Sequence, residues 1–272
     1  MNIVTLSFKK SIKAKVDRLI NQSKCWEIET DFLFNRIDIK PEWKCLDFGC
    51  GPIGVIPSLN KRIGPRGLIV GVDENPYSLY AAKNFVCGDS TSNIELVRVN
   101  IYSPCLQENA FDLCHARFIM NEKGCDSELL LNMVKLCRTG GIVVSQESDW
   151  TTWKCYPPQP AWTKIRDSLI KYYAIKGGDI NAGLRTYQLF YQANLEDIQV
   201  RSAIMAMPVG HHYRSDLVKF VLVEKDHVLS EQLLSEQEFD ASIEACYKII
   251  DDPSIIIYSY ALTQVWGRVR DR

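Results

Sequence analysis

No run in the 272-residue chain approaches the ~18 consecutive apolar residues that a membrane-spanning helix needs, so no membrane span is expected. MNIVTLSFKKSIKAKV has no apolar stretch ahead of a small-residue cleavage site, so no secretory signal is expected either. Charge of one sign is also missing: 32 Lys and Arg against 33 Asp and Glu leave a formal −1. Proteins held to nucleic acid by phosphate neutralisation carry a concentrated basic surface, so no nucleic-acid partner is favoured. The cysteines, at 25, 45, 50, 87, 105, 114, 125, 137, 155 and 246, include no Cys-x-x-Cys pair. That pattern announces neither a zinc site nor a short disulfide scaffold. Reduced thiols packed as small hydrophobes in a cytoplasmic protein are expected, with no metal.

What is there is ordinary globular composition, 46% hydrophobic and 24% charged, in a chain long enough to bury a large core. Residues 8–38 carry apolar positions at helical spacing (Ile12, Val16, Leu19, Ile20, then Phe32, Leu33, Ile37) up to Pro41. From Trp43 short β-branched runs alternate with helical segments. Strands are expected at CLDFG, LIVGVD, IELVRV, AFDLCHA and IVVSQE. Helices are expected at PIGVIPSLNKRIG, NPYSLYAAKNF and CDSELLLNMVKLCR, the last stopping at Gly140-Gly141. This is the pattern of a parallel sheet covered on both faces. Beyond 155, helices are expected at 161–178, 181–194, 214–229 and 235–250, with strands at 195–207 and 254–269. One structural domain is expected: an N-terminal helical lid over 1–40, then 41–272 with helical insertions near 156–194 and 213–250.

The chemistry centres on LDFGCGPIGV. A strand ends in Asp47, Gly49, Gly51 and Gly54 follow, and Pro52 suits a first helical turn. Such glycines let backbone approach a ligand closely while the next helix aims free N–H groups at it. The second strand ends in Asp73, 19 residues after Gly54 (73 − 54), where a carboxylate can accept from both ribose hydroxyls. An adenosine-containing cofactor across the first two strands follows. Gly49-Cys50-Gly51-Pro52-Ile53-Gly54 also satisfies the dinucleotide fingerprint, which leaves an NAD(P)-dependent oxidoreductase open. Asp47 argues against it: a carboxylate there repels a diphosphate and favours the ammonium of S-adenosylmethionine (SAM).

These motifs resemble the class I SAM-dependent methyltransferases, and within them the UbiE-like small-molecule group. LDFGCGPIG is similar to the family's first motif, with Ile53 where one version has a third glycine. GVDENP is similar to the second. The resemblance implies a Rossmann-like doubly wound α/β sheet of order 3-2-1-4-5-7-6, with only strand 7 antiparallel. It implies SAM as co-substrate, held by Asp47, Gly49, Gly51, Asp73, Glu74, Asn100, Ile101 and His115. Asn100 stands where a carboxylate is common.

Methyl transfer needs in-line positioning and, for many acceptors, removal of a proton. Candidate bases are His115, at a strand end, His211 and His212, in a loop, and Asp149, with Glu147 beside it on the fifth strand. Each has a plainer reading as a buried side chain, a surface pair or a helix cap. Trp26, Arg117, Trp150, Trp153 and Tyr187 are the candidates for a substrate pocket, with core packing as the alternative. The expected activity is methylation of a small apolar or aromatic metabolite, with a homodimer possible. A SAM-binding protein that transfers no methyl group, cyclase-like or regulatory, is the remaining alternative.

Overall fold

The computed structural model of the chain describes residues 3–86, 93–120 and 126–271. Cys87 and Cys125 lie outside them.

The N-terminal helical periodicity resolves into α1 (Ile3–Cys25) and α2 (Glu27–Ile37), broken at Trp26. Asp38, in the left-handed region at φ 58°, ends α2 before Pro41 is reached. β1 (Lys44–Phe48) follows, and after the glycine turn α3 (Ile56–Ile63), β2 (Leu68–Asp73), α4 (Pro76–Val86) and β3 (Ile94–Arg98). α3 starts four residues later than Pro52 suggests. Gly49, Gly51 and Gly54 all take positive φ, so the turn consumes 49–55, and Pro57 is the proline of the first helical turn.

β4 (Phe111–Arg117), α5 (Asp126–Leu136) and β5 (Cys137–Asp149) come next. β5 is longer than its apolar run. Gly140 and Gly141 do not stop a helix but lie inside the strand, where the register against β4 shifts. Then come β6 (Lys154–Tyr156), α6 (Pro160–Ile175), α7 (Thr186–Gln192), β7 (Glu196–Ala203) and β8 (Ala206–Met207). The chain closes with α8 (Asp216–Val223), α9 (Lys225–Ser230), α10 (Glu236–Asp251), β9 (Ile256–Tyr258) and β10 (Ala261–Arg268).

Seven strands form one sheet in the order β3-β2-β1-β4-β5-β10-β7. β10 alone is reversed, antiparallel to both β5 and β7. This is the expected 3-2-1-4-5-7-6 order. The two C-terminal strand expectations each break in two, because β8 and β9 leave for a separate three-stranded sheet, β6-β9-β8. Two apolar clusters pack against the large sheet, one through Leu33, Phe34 and Leu59, the other through Leu129, Met133 and Phe190. The third cluster joins α6, α8 and α10 to the small sheet around Trp150, Trp153, Trp162 and Tyr260. Among the described residues no helix is long and apolar enough to cross a membrane. Of the eight described cysteines, seven are buried and Cys105 is exposed; all eight are free.

Candidate active site

A cleft opens at the carboxyl ends of β1, β2 and β4, where open α/β sheets bind ligands. Its floor is the glycine turn. Gly51, at φ +58°, faces open space: a Cβ built there would meet nothing nearer than Gly49 O at 4.0 Å. A ligand can therefore lie against bare backbone. Gly54 is glycine for the opposite reason, since a Cβ there would run into Asp47 Oδ2 and sit 2.7 Å from Cys50 O.

At one end of the cleft Asp73 Oδ2 accepts from Gly51 N–H at 2.9 Å and its Oδ1 from Asn75 N–H at 2.8 Å. Burial raises the Asp73 pKa, and these two backbone donors oppose the rise. Glu74, Asn75 and Ser78 flank it, and Ile101 and Tyr102 form the adjoining wall. Asn100 does not line the cleft. Its Oδ1 accepts from Tyr102 N–H at 3.0 Å, which fixes the turn that presents Tyr102. Over the other end, Lys15, Leu19, Gln22 and Ser23 of α1 form a roof, and Arg117, Phe118 and Ile119 extend the β4 wall.

Asp47 and His115 are register partners on β1 and β4, with Asp47 Oδ1 2.7 Å from His115 Nδ1. The other ring nitrogen, Nε2, lies 2.8 Å from Gln146 Nε2. Gln146 Oε1 accepts from Gln264 Nε2 at 2.8 Å and from Thr30 Oγ1 at 3.2 Å, so its amide nitrogen is the end that meets the histidine. Gln146 therefore donates to Nε2, and Nδ1 carries the proton that is donated to Asp47. Burial, foremost, lowers the His115 pKa, and the Asp47 carboxylate only partly offsets this. His115 is a neutral, wholly buried imidazole with both nitrogens engaged, although it borders the cleft behind Asp47. Such a ring orients a carboxylate rather than taking a proton from an acceptor.

The chain of hydrogen bonds continues across the sheet. Gln264 donates to Glu29 O and accepts from Arg201 Nη1 at 3.0 Å, and Arg201 pairs with the Glu29 carboxylate at 2.6 Å. Thr30 Oγ1 accepts from Arg117 Nη1 at 3.0 Å. Five neighbouring strands thus contribute one polar residue each to a row beneath α2. No single segment's pattern signals this row; it needs the strand order and register.

The remaining candidates are not brought to the cleft. Asp149 caps the short 3-10 helix Trp150–Thr152, its Oδ1 accepting from Thr151 N–H at 3.0 Å and Thr151 Oγ1 at 2.6 Å. Glu147 Oε1 instead accepts from the backbone N–H groups of Ile119 and Met120, holding the segment after β4 in place. His211 and His212 stack on each other in the 208–215 loop, and His211 Nδ1 accepts from Tyr213 N–H. Trp26, Trp150 and Trp153 are core: Trp26 Nε1 donates to Tyr260 Oη at 2.8 Å, and Trp150 stacks on Tyr260. Tyr187 is half-exposed on α7. Of the aromatics between β5 and β7, Trp150, Trp153, Trp162 and Tyr172 are interior to the insertion, Tyr156, Tyr187 and Tyr191 are exposed, and none lines the cleft. Arg117, Tyr102, Gln22 and Leu19 are the lining residues that matter there, and helical spacing on 8–38 is the signal that puts Leu19 and Ser23 on one face.

The sheet order, and the cleft at the carboxyl ends of its parallel strands, are those of the class I SAM-dependent methyltransferase fold. The chain matches the profile of the methyltransferase domain family over residues 39–194, more than half its length, and belongs to that family. It is 26% identical over 150 residues to a demethylmenaquinone methyltransferase of Bacillus cereus (strain ATCC 10987 / NRS 248), covering 55% of this chain and 58% of that protein. An uncharacterized 37.1 kDa protein in transposon TN4556 of Streptomyces fradiae is 25% identical over 121 residues, 43% of this chain and 34% of that one. The matched stretch thus spans between a third and three fifths of these relatives. Among solved structures, YcgJ from Bacillus subtilis shares the fold with a TM-score of 0.58 at 12% identity, covering 89% of this chain and 97% of that one. Phosphoethanolamine N-methyltransferase 2 of Haemonchus contortus, solved with phosphomonomethylethanolamine and S-adenosylhomocysteine, gives 0.56 at 12%, covering 89% and 53%.

The cleft fits SAM. Bare backbone at Gly51, an acceptor carboxylate at Asp73 and a second carboxylate at Asp47 suit its thioether chain, ribose and ammonium in turn. When bound, SAM supplies an electrophilic methyl group on sulfur.

Proposed function

We propose that the chain methylates a small molecule whose reactive end is apolar or aromatic. The observation that carries this reading is the roof: α1 closes the acceptor end of the cleft with Leu19 and Gln22 opposite Phe118 and Ile119. A covered space of that size suits a metabolite better than a polymer. The quinone-type substrate named for the Bacillus cereus relative is consistent with such walls.

In this reading catalysis is by positioning. Asp73 holds ribose, Asp47, oriented by His115, holds the ammonium, and the β4 wall sets the acceptor in line with the methyl group. No imidazole serves as base: His115 is sealed, and His227 stacks on Tyr172 outside the cleft. Purified protein with labelled SAM and a panel of hydroxylated quinones, phenols and aliphatic acids tests it. S-adenosylhomocysteine should accumulate with an aromatic acceptor and label should enter that acceptor. Tight SAM binding without turnover on any small molecule, together with labelling of tRNA or protein, would overturn the reading.

A further inference from the structure

Among the described residues, Arg117 is a buried cation without an anion and, unlike the equally unpaired Arg214, whose donors meet five backbone carbonyls, it keeps donors unfilled. It is 9% exposed, and none of the described carboxylates forms an ion pair with it. Asp47, the strongest acidic influence on it, makes its close bonds with His115 Nδ1 and Val55 N–H instead. Its three hydrogen bonds go to neutral oxygens: Nη1 to Thr30 Oγ1 at 3.0 Å, and Nη2 to Ser23 Oγ at 2.9 Å and Gly54 O at 3.1 Å. They use three of five donors, leaving Nε–H and one Nη1–H. A guanidinium cannot relieve its burial by losing its proton, so leaving it unpaired is costly.

The position explains the cost. Arg117 lines the cofactor cleft and also a second cavity of about 280 Å³ on the far side of the Gly54–Val55 segment. Ser23, Lys24, Thr30 and Ser58 also line that cavity. Glu27, the one carboxylate among its lining residues, is paired with Lys61 at 3.1 Å. With the Thr30 hydroxyl proton spent on Gln146, two cations, Arg117 and Lys24, and the hydroxyls of Ser23 and Ser58 surround a junction next to Asp47 and can meet anionic oxygen.

We infer that Arg117 is the docking point for a ligand carboxylate at the junction of these two cavities. Two sources carry that chemistry: the amino-acid end of the cofactor, and a carboxylate on the acceptor. The acceptor source rests on the small-molecule reading above; the cofactor source does not.

Calorimetry on Arg117→Met and Arg117→Lys separates the possibilities. The probes are S-adenosylhomocysteine, 5′-methylthioadenosine, which lacks the amino-acid part, and benzoate added to the homocysteine-loaded protein. If the cofactor is the source, Arg117→Met weakens S-adenosylhomocysteine about 10- to 100-fold, the usual range for losing hydrogen bonds to a charged group, and leaves methylthioadenosine unchanged. If the acceptor is the source, both nucleosides bind as before, while benzoate binds the parent protein and fails on Arg117→Met. Arg117→Lys keeps the charge and loses the fork, so it gives an intermediate loss on the same probe and answers the question if the methionine variant does not fold. An equal loss for both nucleosides would make Arg117 only a tie between α1, α2 and the glycine turn, and overturn the inference. So would no change on any probe. Failure of the parent protein to bind either nucleoside would count against the cofactor assignment instead, and failure to methylate any small molecule against the acceptor reading.

Discussion

His115 on β4 donates its Nδ1 proton to Asp47 on β1 across 2.7 Å, and that bond ties the strand pairing of the sheet to the cleft at the glycine turn. The pair is sealed from solvent, and Gln146 closes the other side of the ring at 2.8 Å.

His115→Leu should leave Asp47 Oδ1 without its donor, with only Val55 N–H remaining on Oδ2, costing about 2–3 kcal/mol of stability and about tenfold in S-adenosylhomocysteine affinity. His115→Asn restores a donor near Nδ1 and should recover much of both. The pH dependence gives a second check. Burial holds the folded imidazole below its ordinary 6.5, so as pH falls through that value the unfolded chain gains a proton the folded ring refuses. Stability from this group is therefore present above 6.5 and lost as pH falls toward the folded value. Asp73 and Asp216, both raised by burial, act in the opposite direction but are common to parent and variant. The melting-temperature gap between the parent and His115→Asn should narrow from pH 7.5 to 5.5, and a constant gap would refute the buried neutral assignment.

Asp73→Ala should weaken S-adenosylhomocysteine binding by roughly 10- to 100-fold, losing the ribose acceptor and freeing the Gly51 and Asn75 N–H groups. Circular dichroism should show a folded protein. Unchanged affinity by calorimetry would remove Asp73 from the ribose site.

Two left-handed glycines give a matched comparison. Gly177, at φ +77° with open space around it after α6, should tolerate alanine at about 1–2 kcal/mol, the ordinary cost of a side chain there. Gly54→Ala adds a collision with Asp47 and Cys50 to the same backbone strain. It should lose roughly 3 kcal/mol or more, together with cofactor affinity. Equal chemical-denaturation midpoints for the two variants would contradict this account of the turn.

Arg214 donates to five backbone carbonyls, those of Met207, Ile249, Ile250, Asp252 and Ile255, and so closes the end of α10 onto β8 and β9. Arg214→Leu leaves those oxygens unsatisfied and should cost about 3–5 kcal/mol, read as a lower urea midpoint. The folded fraction should bind S-adenosylhomocysteine as before, because Arg214 lies outside the cleft.

The half of the chain that builds the cofactor cleft is legible in its order of elements, because turn chemistry and β-branched runs punctuate it, while the start of α3 and the place of Gly140-Gly141 are not. LIVGVD is β2 to the residue, and the glycine turn and Asp73 lie where their spacing puts them. Legibility fails where tertiary geometry decides between equal local options. The run at 254–269 is rich in β-branched and aromatic residues from end to end, and nothing local marks the corner at Ser259-Tyr260. That corner exists because Ser259 Oγ accepts from Met205 N–H and the Tyr260 ring enters the insertion's core. Asp149 reads equally as a base or a cap until Thr151 is seen beneath it. Trp150 and Trp153 have the composition of a ligand wall, yet their neighbours are other aromatic rings and no open space.

The same corner has a mechanical side. The exit from the large sheet after β5 and the return to it before β10 are pinned to one another: Thr152 Oγ1 donates to Asp149 O and accepts from Ala261 N–H at 2.6 Å. The insertion is a fixed wall that travels with the sheet. α1 meets this wall through side chains, with Arg18 over the Phe220 ring and Gln22 Nε2 donating to Tyr260 Oη.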